Sequence, residues 1–374
     1  MRLVAVELRR IRLPLVRPFR TSFGTELDRD ILLIRVHTDD GGDGWGECVA
    51  GHAPLYSSEY VDGAEQVIRR HILDRLAVLP DVSGATVGPA LVAIKGHRMA
   101  KAAVEMAVLD AELRTRRVSL AEHLGATRQQ VDVGVSVGIA PSIPQLLDEV
   151  ELYLHQGYRR IKLKVEPGWD LEPVAAVRSR FGDVTLQVDA NAAYSRTDID
   201  HLAELDAFDL LLVEQPLPEE DLLGHSQLVR RLRTPVCLDE SIVSADAAAD
   251  AIALGACDIV NIKPGRVGGY LEARRIHDVC VAQGVPVWCG GMLETGIGRA
   301  ANLALAALPG FTLPSDISGF DRYWKRDIVT TPQVARDGRM DVPGGIGIGV
   351  EPDLDWLGEL TTRVETVDLV GALD

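Results

Sequence analysis

Cysteine is scarce in this sequence and forms no obvious pairs. The five residues Cys48, Cys237, Cys257, Cys280 and Cys289 are odd in number and show no CxxC spacing. That argues against a disulfide framework and for a reducing compartment. No run reaches the ~18 uncharged apolar residues that a membrane span needs. The opening stretch MRLVAVELRRIRLPLVRPF breaks its apolar residues with charges too often for a secretory leader. Positive charge is also short: 39 Lys and Arg against 55 Asp and Glu leave a formal charge of −16 at pH 7. This excludes a broad nucleic-acid or anionic-membrane surface, although a few local cations could still meet an anionic substrate. Low-complexity segments and flexible linkers are missing too. The expectation is a soluble, cytoplasmic protein with neither nucleic acid nor membrane as a partner.

What is present is ordinary globular composition, 47% hydrophobic and 25% charged over 374 residues. That length exceeds a usual single core, so two domains are expected, although a barrel alone can take about 250 residues. Between residues 161 and 265, five short apolar, partly β-branched runs each end in charge. They are IKLKVEP with Lys162 and Lys164, LQVDANAAY with Asp189 and Asn191, LLVEQPL with Glu214, VCLDES with Asp239 and Glu240, and IVNIKPGRVGG with Lys263. Lys164, Asp189, Glu214, Asp239 and Lys263 follow one another at 25, 25, 25 and 24 residues. Each interval carries a helix-like pattern and matches one β/α unit. Repetition at near-constant length favours a closed α/β barrel, with the charged residues at the strand ends that form its mouth.

Around this centre the text differs. Residues 1–49 read as strands, with a Pro-containing loop carrying Phe19 and Phe23 and a hairpin at DDGGDG. Residues 59–125 read as helical, with Met99, Ala103, Met106, Leu109 and Leu113 in one apolar stripe. An N-terminal α+β domain is therefore expected over 1–128. A (β/α)8 barrel follows over 129–320, its first strand in VDVGVSVGI (131–139) and its last unit in FTLPSDIS. From 321 to 374 the turn-rich, strand-like tail is expected to return to the first domain and complete a capping unit.

Asp189, Glu214 and Asp239 on three consecutive strand ends make an all-oxygen donor set, which suits Mg²⁺, with Mn²⁺ also possible; zinc would prefer His or Cys, and neither occurs there. Taken singly, each acid could simply cap a loop or helix. Lys162 and Lys164 alternate with apolar Ile161, Leu163 and Val165, a buried-strand pattern that turns both lysines to one face. The strands of Lys164 and Lys263 flank the three carboxylate strands, placing two ammonium groups on opposite sides of a metal. Desolvation among cations can bring a lysine pKa down to roughly 7 to 8, the range of a working general base. Such an arrangement suits removal of a proton α to a carboxylate. Arg266 could depress Lys263 further or sit on the surface. Asn191 and Glu240 suit groups that orient ligands. Gly290, Gly291, Met292 and Leu293 suit a loop approaching substrate closely; a phosphate-binding loop competes, weakened by the absence of GK[ST].

In combination, KxK, DxN, EQP, DES and K resemble the enolase superfamily in its muconate lactonizing enzyme subgroup, over nearly the whole chain. GWGEC and MAKAAVEMAVLDAE resemble that subgroup's capping-domain and linker segments. KLKVEPGWD, VDANAAY, NIKPGRVGG and GGMLETGIGR are most similar to the N-succinylamino acid racemase and o-succinylbenzoate synthase family. The resemblance implies that the barrel is a (β/α)7β-type TIM barrel, that Asp189, Glu214 and Asp239 hold the metal and that Lys164 and Lys263 are catalytic. It implies 1,1-proton transfer on N-acylamino acids, the dehydration to 2-succinylbenzoate in menaquinone synthesis, or both, in a homo-oligomer acting on a small carboxylate. Dipeptide epimerases of the subgroup carry Asp-x-Asp after the eighth strand. Here the text is Ser315, Asp316, Ile317, Ser318. Phe19, Phe23, Tyr56 and Ser136 are candidates for substrate contact, with a core role open for the aromatics. A muconate-type cycloisomerase would use the same lysines. A non-catalytic metal-binding barrel would be expected to lack some of the five charges, and none is lacking.

Overall fold

The computed structural model describes residues 1–369; the end of the expected tail, 370–374, lies outside the described residues. The chain opens with a long hairpin, β1 (Leu3–Thr21) and β2 (Gly24–Thr38), followed by β3 (Asp43–Cys48). The Pro-containing loop expected around Phe19 is instead strand. β1 continues through Pro14 and Pro18, and its register against β2 slips between Pro14 and Phe19 before Phe19 pairs with Glu26. Proline has no N–H to give a ladder, so it sits where the ladder is already interrupted. Only Ser22 and Phe23 turn the chain.

β3 packs on the helix Arg98–Arg116, and its glycines allow the approach. A Cβ on Gly44 would lie 2.2 Å from the Ala111 nitrogen, and one on Gly46 would lie 2.1 Å from the Ala103 oxygen. The helix meets them with Ala103, Ala107 and Ala111, all buried. Close packing of small residues against backbone gives the GWGEC segment its form.

Seven parallel strands form the second layer: β5 (Val135–Val137), β6 (Arg160–Lys164), β7 (Thr185–Asp189), β8 (Val213–Glu214), β9 (Val236–Leu238), β10 (Ile259–Ile262) and β11 (Val287–Cys289), adjacent in sequence order. Helices connect them, so the sheet is buried on both faces and its strands are almost wholly apolar apart from their inward polar column. The eighth unit makes no ladder. Residues 311–316 are joined to β11 and to the segment before β5 by isolated bridges at Val287–Phe311 and Val133–Ser315 and a few backbone hydrogen bonds, among them Asp316 N to the Cys289 carbonyl (2.8 Å), and Pro314 offers no N–H there. The stretch expected as one first barrel strand is also divided. β4 (Gln130–Asp132) leaves the barrel to pair antiparallel with β12 (Arg339–Asp341), and only 135–137 join the parallel sheet. Gly134 lies between, where a Cβ would be 2.3 Å from the Arg160 guanidinium.

The final strand, β13 (Thr361–Asp368), pairs antiparallel with β1, giving the order β13-β1-β2-β3. Buried acids of the first unit tie it to the rim of the barrel. Glu47 accepts from Thr295 N (3.0 Å), Thr295 Oγ1 (2.6 Å) and Gly298 N (3.0 Å). Glu105 accepts from Tyr270 N (2.9 Å) and Leu271 N (3.0 Å). Each therefore caps the first turn of a barrel helix from outside that helix. Burial pushes both carboxyls up to about 7 against those hydrogen bonds. Among the described residues, no helix is long and apolar enough to cross a membrane.

Candidate active site

Strand register brings the charged residues together. Lys164 and Asp189 are register partners across β6 and β7, and Asp189 and Glu214 across β7 and β8. Asp239 and Lys263 each follow the last residue of β9 and β10. Lys164 Nζ donates to Asp189 Oδ2 (2.6 Å) and Asn191 Oδ1 (2.7 Å). Lys263 Nζ donates to Asp239 Oδ2 (2.7 Å) and to the Tyr56 hydroxyl (3.2 Å). Lys162, midway down β6, donates to Glu214 Oε2 (2.9 Å) and lies 3.1 Å from Asp189. All are buried.

The turns that follow the strands are held in unusual backbone conformations. Asn191, Ala192, Gln215 and Leu293 all have positive φ without being glycine, the kind of strain that a tightly built site sustains. Gln215 shows how it is sustained: its side-chain oxygen accepts from Asp239 N (2.9 Å) and Ser241 N (3.2 Å), locking the DES turn to the EQP turn. Asn191 Nδ2 reaches Glu240 Oε1 (3.0 Å), so the DxN and DES turns are joined as well.

Burial and charge divide the two catalytic candidates. Burial drives the Lys164 pKa down, and although Asp189 opposes this, Lys162 reinforces it, leaving Lys164 below the usual lysine value. Burial would also discharge Lys263, but Tyr56 and the carboxylates of Glu240, Glu214 and Asp189 outweigh it and raise its pKa. The expected depression of Lys263 by Arg266 is therefore not found. Arg266 is buried rather than on the surface; its guanidinium contacts Asp239 and donates to the Ile242 carbonyl (2.9 Å) and the Asn261 carbonyl (2.8 Å). Burial opposes ionisation of Asp189, yet Lys164 and Lys162 hold its carboxyl well below the usual range. Glu214 and Glu240 are pushed up by burial and then by Asp189, Glu240 to about 7.

Above these groups lies a cavity lined by Phe19, Phe23, Tyr56, Ser136, Lys162, Lys164, Asn191, Lys263, Gly291, Met292 and Leu293. Asp189, Glu214, Asp239, Glu240 and Arg266 are buried and do not line it. Gly290 makes room for the site rather than for a ligand, since a Cβ there would lie 2.6 Å from Lys263 Cε and 2.3 Å from Asn261 Oδ1.

Sequence reasoning missed three contributors. Asp316 lines the cavity and pairs with Lys162 and Arg160, to the latter at 2.6 Å. Its position at the last strand end was the available signal. Asn261, two residues before Lys263 and on the same face, donates to Glu214 Oε1 (2.7 Å). Arg322 donates to the Ser136 carbonyl (2.9 Å) and lies over the rings of Phe19, Tyr153 and Tyr323. Nothing local in the sequence announces it.

The carboxylates fit a divalent cation chemically. Three fully buried acids meet at adjacent strand ends, Asp189 and Glu214 repel each other, and Glu240 Oε2 has no hydrogen-bond partner among the described residues. Their arrangement is closed on cations, however. Among the described residues no three of His, Cys, Asp and Glu are grouped as a metal cluster; Lys162, Lys164, Lys263 and Arg266 contact the carboxylate oxygens. Each of those cations ends a side chain that can swing away, so the donor chemistry is the stronger guide.

Residues 4–125 match the family of mandelate racemase and muconate lactonizing enzyme N-terminal domains, and residues 145–356 match the enolase C-terminal domain-like family. The chain is 63% identical over 363 residues to an N-succinylamino acid racemase of an Amycolatopsis species, covering 97% of this chain and 98% of that protein. It is 46% identical to an o-succinylbenzoate synthase of Geobacillus kaustophilus, covering 93% of each. A crystal structure of an enolase-superfamily member from Listeria innocua matches with a TM-score of 0.94 at 40% identity, covering 99% of this chain and 100% of that one.

Proposed function

The chain is an enzyme of the enolase superfamily, in its mandelate racemase and muconate lactonizing enzyme family, and from that premise we propose that it removes the proton α to a carboxylate of a small substrate. The reaction is racemisation of N-acylamino acids, N-succinyl ones among them, or the o-succinylbenzoate synthase dehydration that serves menaquinone synthesis, or both at one site. The observation that carries the reading is the pair of buried lysines, Lys164 and Lys263, on strands flanking three carboxylate strands and both facing one cavity.

In this reading Asp189, Glu214 and Asp239 hold a divalent cation, Mg²⁺ in the first place with Mn²⁺ able to replace it. When bound, the ion supplies positive charge that stabilises an enediolate. Lys162 orients the substrate carboxylate, held in place by Asp316. Lys164 Nζ, once free of its proton, takes the α-proton from one face. For racemisation Lys263 Nζ gives a proton to the opposite face, which inverts the carbon. For dehydration Lys263 stays cationic while Lys164, now protonated, returns its proton to the departing β-hydroxyl, which leaves as water. Asn191 and Glu240 keep the strand-end turns in register, and Phe19, Phe23, Tyr56, Ser136, Gly291, Met292 and Leu293 enclose the remainder of the substrate. The capping unit, 1–128 with the tail from 321, closes the mouth of the barrel 129–320. We place the enzyme in the cytoplasm as a homo-oligomer. A muconate-type cycloisomerase would use the same lysines. The high identity along the full chain to a protein named as a racemase favours the first reading.

The test is a paired assay with Mg²⁺: N-succinylamino acids in D2O, followed by α-proton exchange and optical rotation, beside the dehydration giving 2-succinylbenzoate. Turnover in either arm supports the reading. No turnover in either arm, with cation still bound, overturns it in favour of the cycloisomerase.

A further inference from the structure

The cavity has a second charged end. Arg29, on β2, is 5% exposed, lines the same cavity as the three lysines, and leaves its Nε without a hydrogen-bond partner among the described residues. Its other nitrogens are incompletely used. Nη2 donates to the Val49 carbonyl (3.0 Å), while Nη1 divides itself between both oxygens of Glu26 at 3.3 and 3.2 Å, long for a guanidinium–carboxylate pair. Glu26 is also a cavity residue and is partly open to solvent, 23% exposed. The four cations at the barrel mouth are different. Lys162, Lys164, Lys263 and Arg266 each contact buried carboxylates of the strand ends. Arg29 alone of these cations is under-bonded.

A guanidinium taken out of water loses hydration that it recovers only through hydrogen bonds, and its planar fork matches the paired oxygens of a carboxylate. An unfilled Nε beside a cavity that also holds aromatic and aliphatic side chains therefore marks a place for an anionic end group.

We propose that Arg29 recognises a second carboxylate of the substrate, remote from the reacting carbon, and so sets a preference for substrates with two carboxylates. Lys162 holds the carboxylate at the reacting end, and Arg29 receives the other. The second carboxylate has two possible chemical sources, the acyl group or the amino-acid side chain. This assignment rests on the reading of the cavity as an N-acylamino acid site.

The experiment compares wild type, Arg29→Met and Arg29→Lys, all as full chains with Mg²⁺, on three substrates. N-succinylphenylalanine carries the second carboxylate on its acyl group, N-acetylglutamate carries it on its side chain, and N-acetylphenylalanine has none. In Arg29→Met, the ratio of kcat/KM for a dicarboxylate to that for N-acetylphenylalanine falls about ten- to a hundredfold, through KM, the loss expected of a charge-assisted hydrogen bond. Arg29→Lys, which keeps the charge without the fork, recovers part of it. A fall confined to the succinyl substrate assigns the carboxylate to the acyl group; one confined to N-acetylglutamate assigns it to the side chain. An equal fall on all three, or none, overturns the proposal by making Arg29 structural. Calorimetric binding of N-succinylphenylalanine separates the two readings: no turnover with binding weakened in Arg29→Met overturns the reaction but supports the subsite, whereas equal affinity in wild type and variant overturns the subsite.

Discussion

Lys164 Nζ lies 2.6 Å from Asp189 Oδ2 and 2.7 Å from Asn191 Oδ1, across one step of parallel register. The same acid that lines a strand end thus restrains the base that would work above it. On the proposed reaction Lys164→Ala removes the general base, so α-proton exchange in D2O and dehydration are both expected to fall by about 10²–10⁴-fold. Lys263→Ala loses racemisation to the same extent, because one face has no proton partner. A Lys263→Ala enzyme that still racemised both enantiomers at the wild-type rate would exclude a two-base mechanism.

Those lysines were legible from sequence because register in a parallel barrel turns a repeat of about 25 residues into adjacency. Lys164, Asp189, Glu214, Asp239 and Lys263 each announce themselves at the end of an apolar run, and the structure gathers them. Pro14 and Pro18 read as breaks that put Phe19 on a loop, whereas a slip in register lets β1 run past them. Arg29, Glu47 and Arg322 were invisible for a different reason. Glu47 reaches Thr295 across 248 residues, and no spacing rule connects positions so far apart. Asp316 had a visible position but no repeat partner, so its link to Lys162 depended on closure of the barrel through isolated bridges.

Removal of divalent cation tests the carboxylate set. EDTA is expected to abolish activity and Mg²⁺ to restore it. Binding of the ion to the folded chain should also raise the thermal midpoint in a concentration-dependent way, as any ligand selective for the native state does. Asp239→Asn removes one hard donor, so the midpoint shift at a given Mg²⁺ concentration shrinks. A shift of equal size in Asp239→Asn and wild type would place the ion elsewhere.

Gly46 carries a packing prediction independent of catalysis. A Cβ there would lie 2.1 Å from the Ala103 oxygen and 2.9 Å from the Ala107 nitrogen, both backbone atoms of the helix Arg98–Arg116. Backbone cannot turn aside as a side chain can, so Gly46→Ala forces strand and helix apart at a cost of about 3 kcal/mol. Urea unfolding followed by circular dichroism reads this as a lower midpoint. A midpoint equal to wild type would mean that the two elements are less tightly seated than the distances state.

Glu105 gives the stability of the protein a pH dependence whose sign is fixed. Its carboxyl is fully buried and accepts from Tyr270 N and Leu271 N; burial nonetheless raises its pKa from 4.5 to about 7. The folded chain therefore binds this proton more tightly than the unfolded chain, and between those two values it carries more protons. Stability from this group is fully present below pH 4.5 and is lost as pH rises through 7. At ~1.4 kcal/mol per pKa unit the difference amounts to about 3 kcal/mol. Glu47, also raised to about 7 by burial, acts in the same direction. Glu105→Gln replaces the acid with a neutral group of similar shape that can still accept from a helix N–H. Thermal midpoints measured at pH 5 and pH 8 should therefore show Glu105→Gln less stable than wild type, or equal to it, at the lower pH, and gaining relative to wild type at the higher. A gap between the two proteins that stays constant with pH would mean that Glu105 is ionised in the folded chain throughout, its charge held by the helix N-terminus more strongly than burial opposes it.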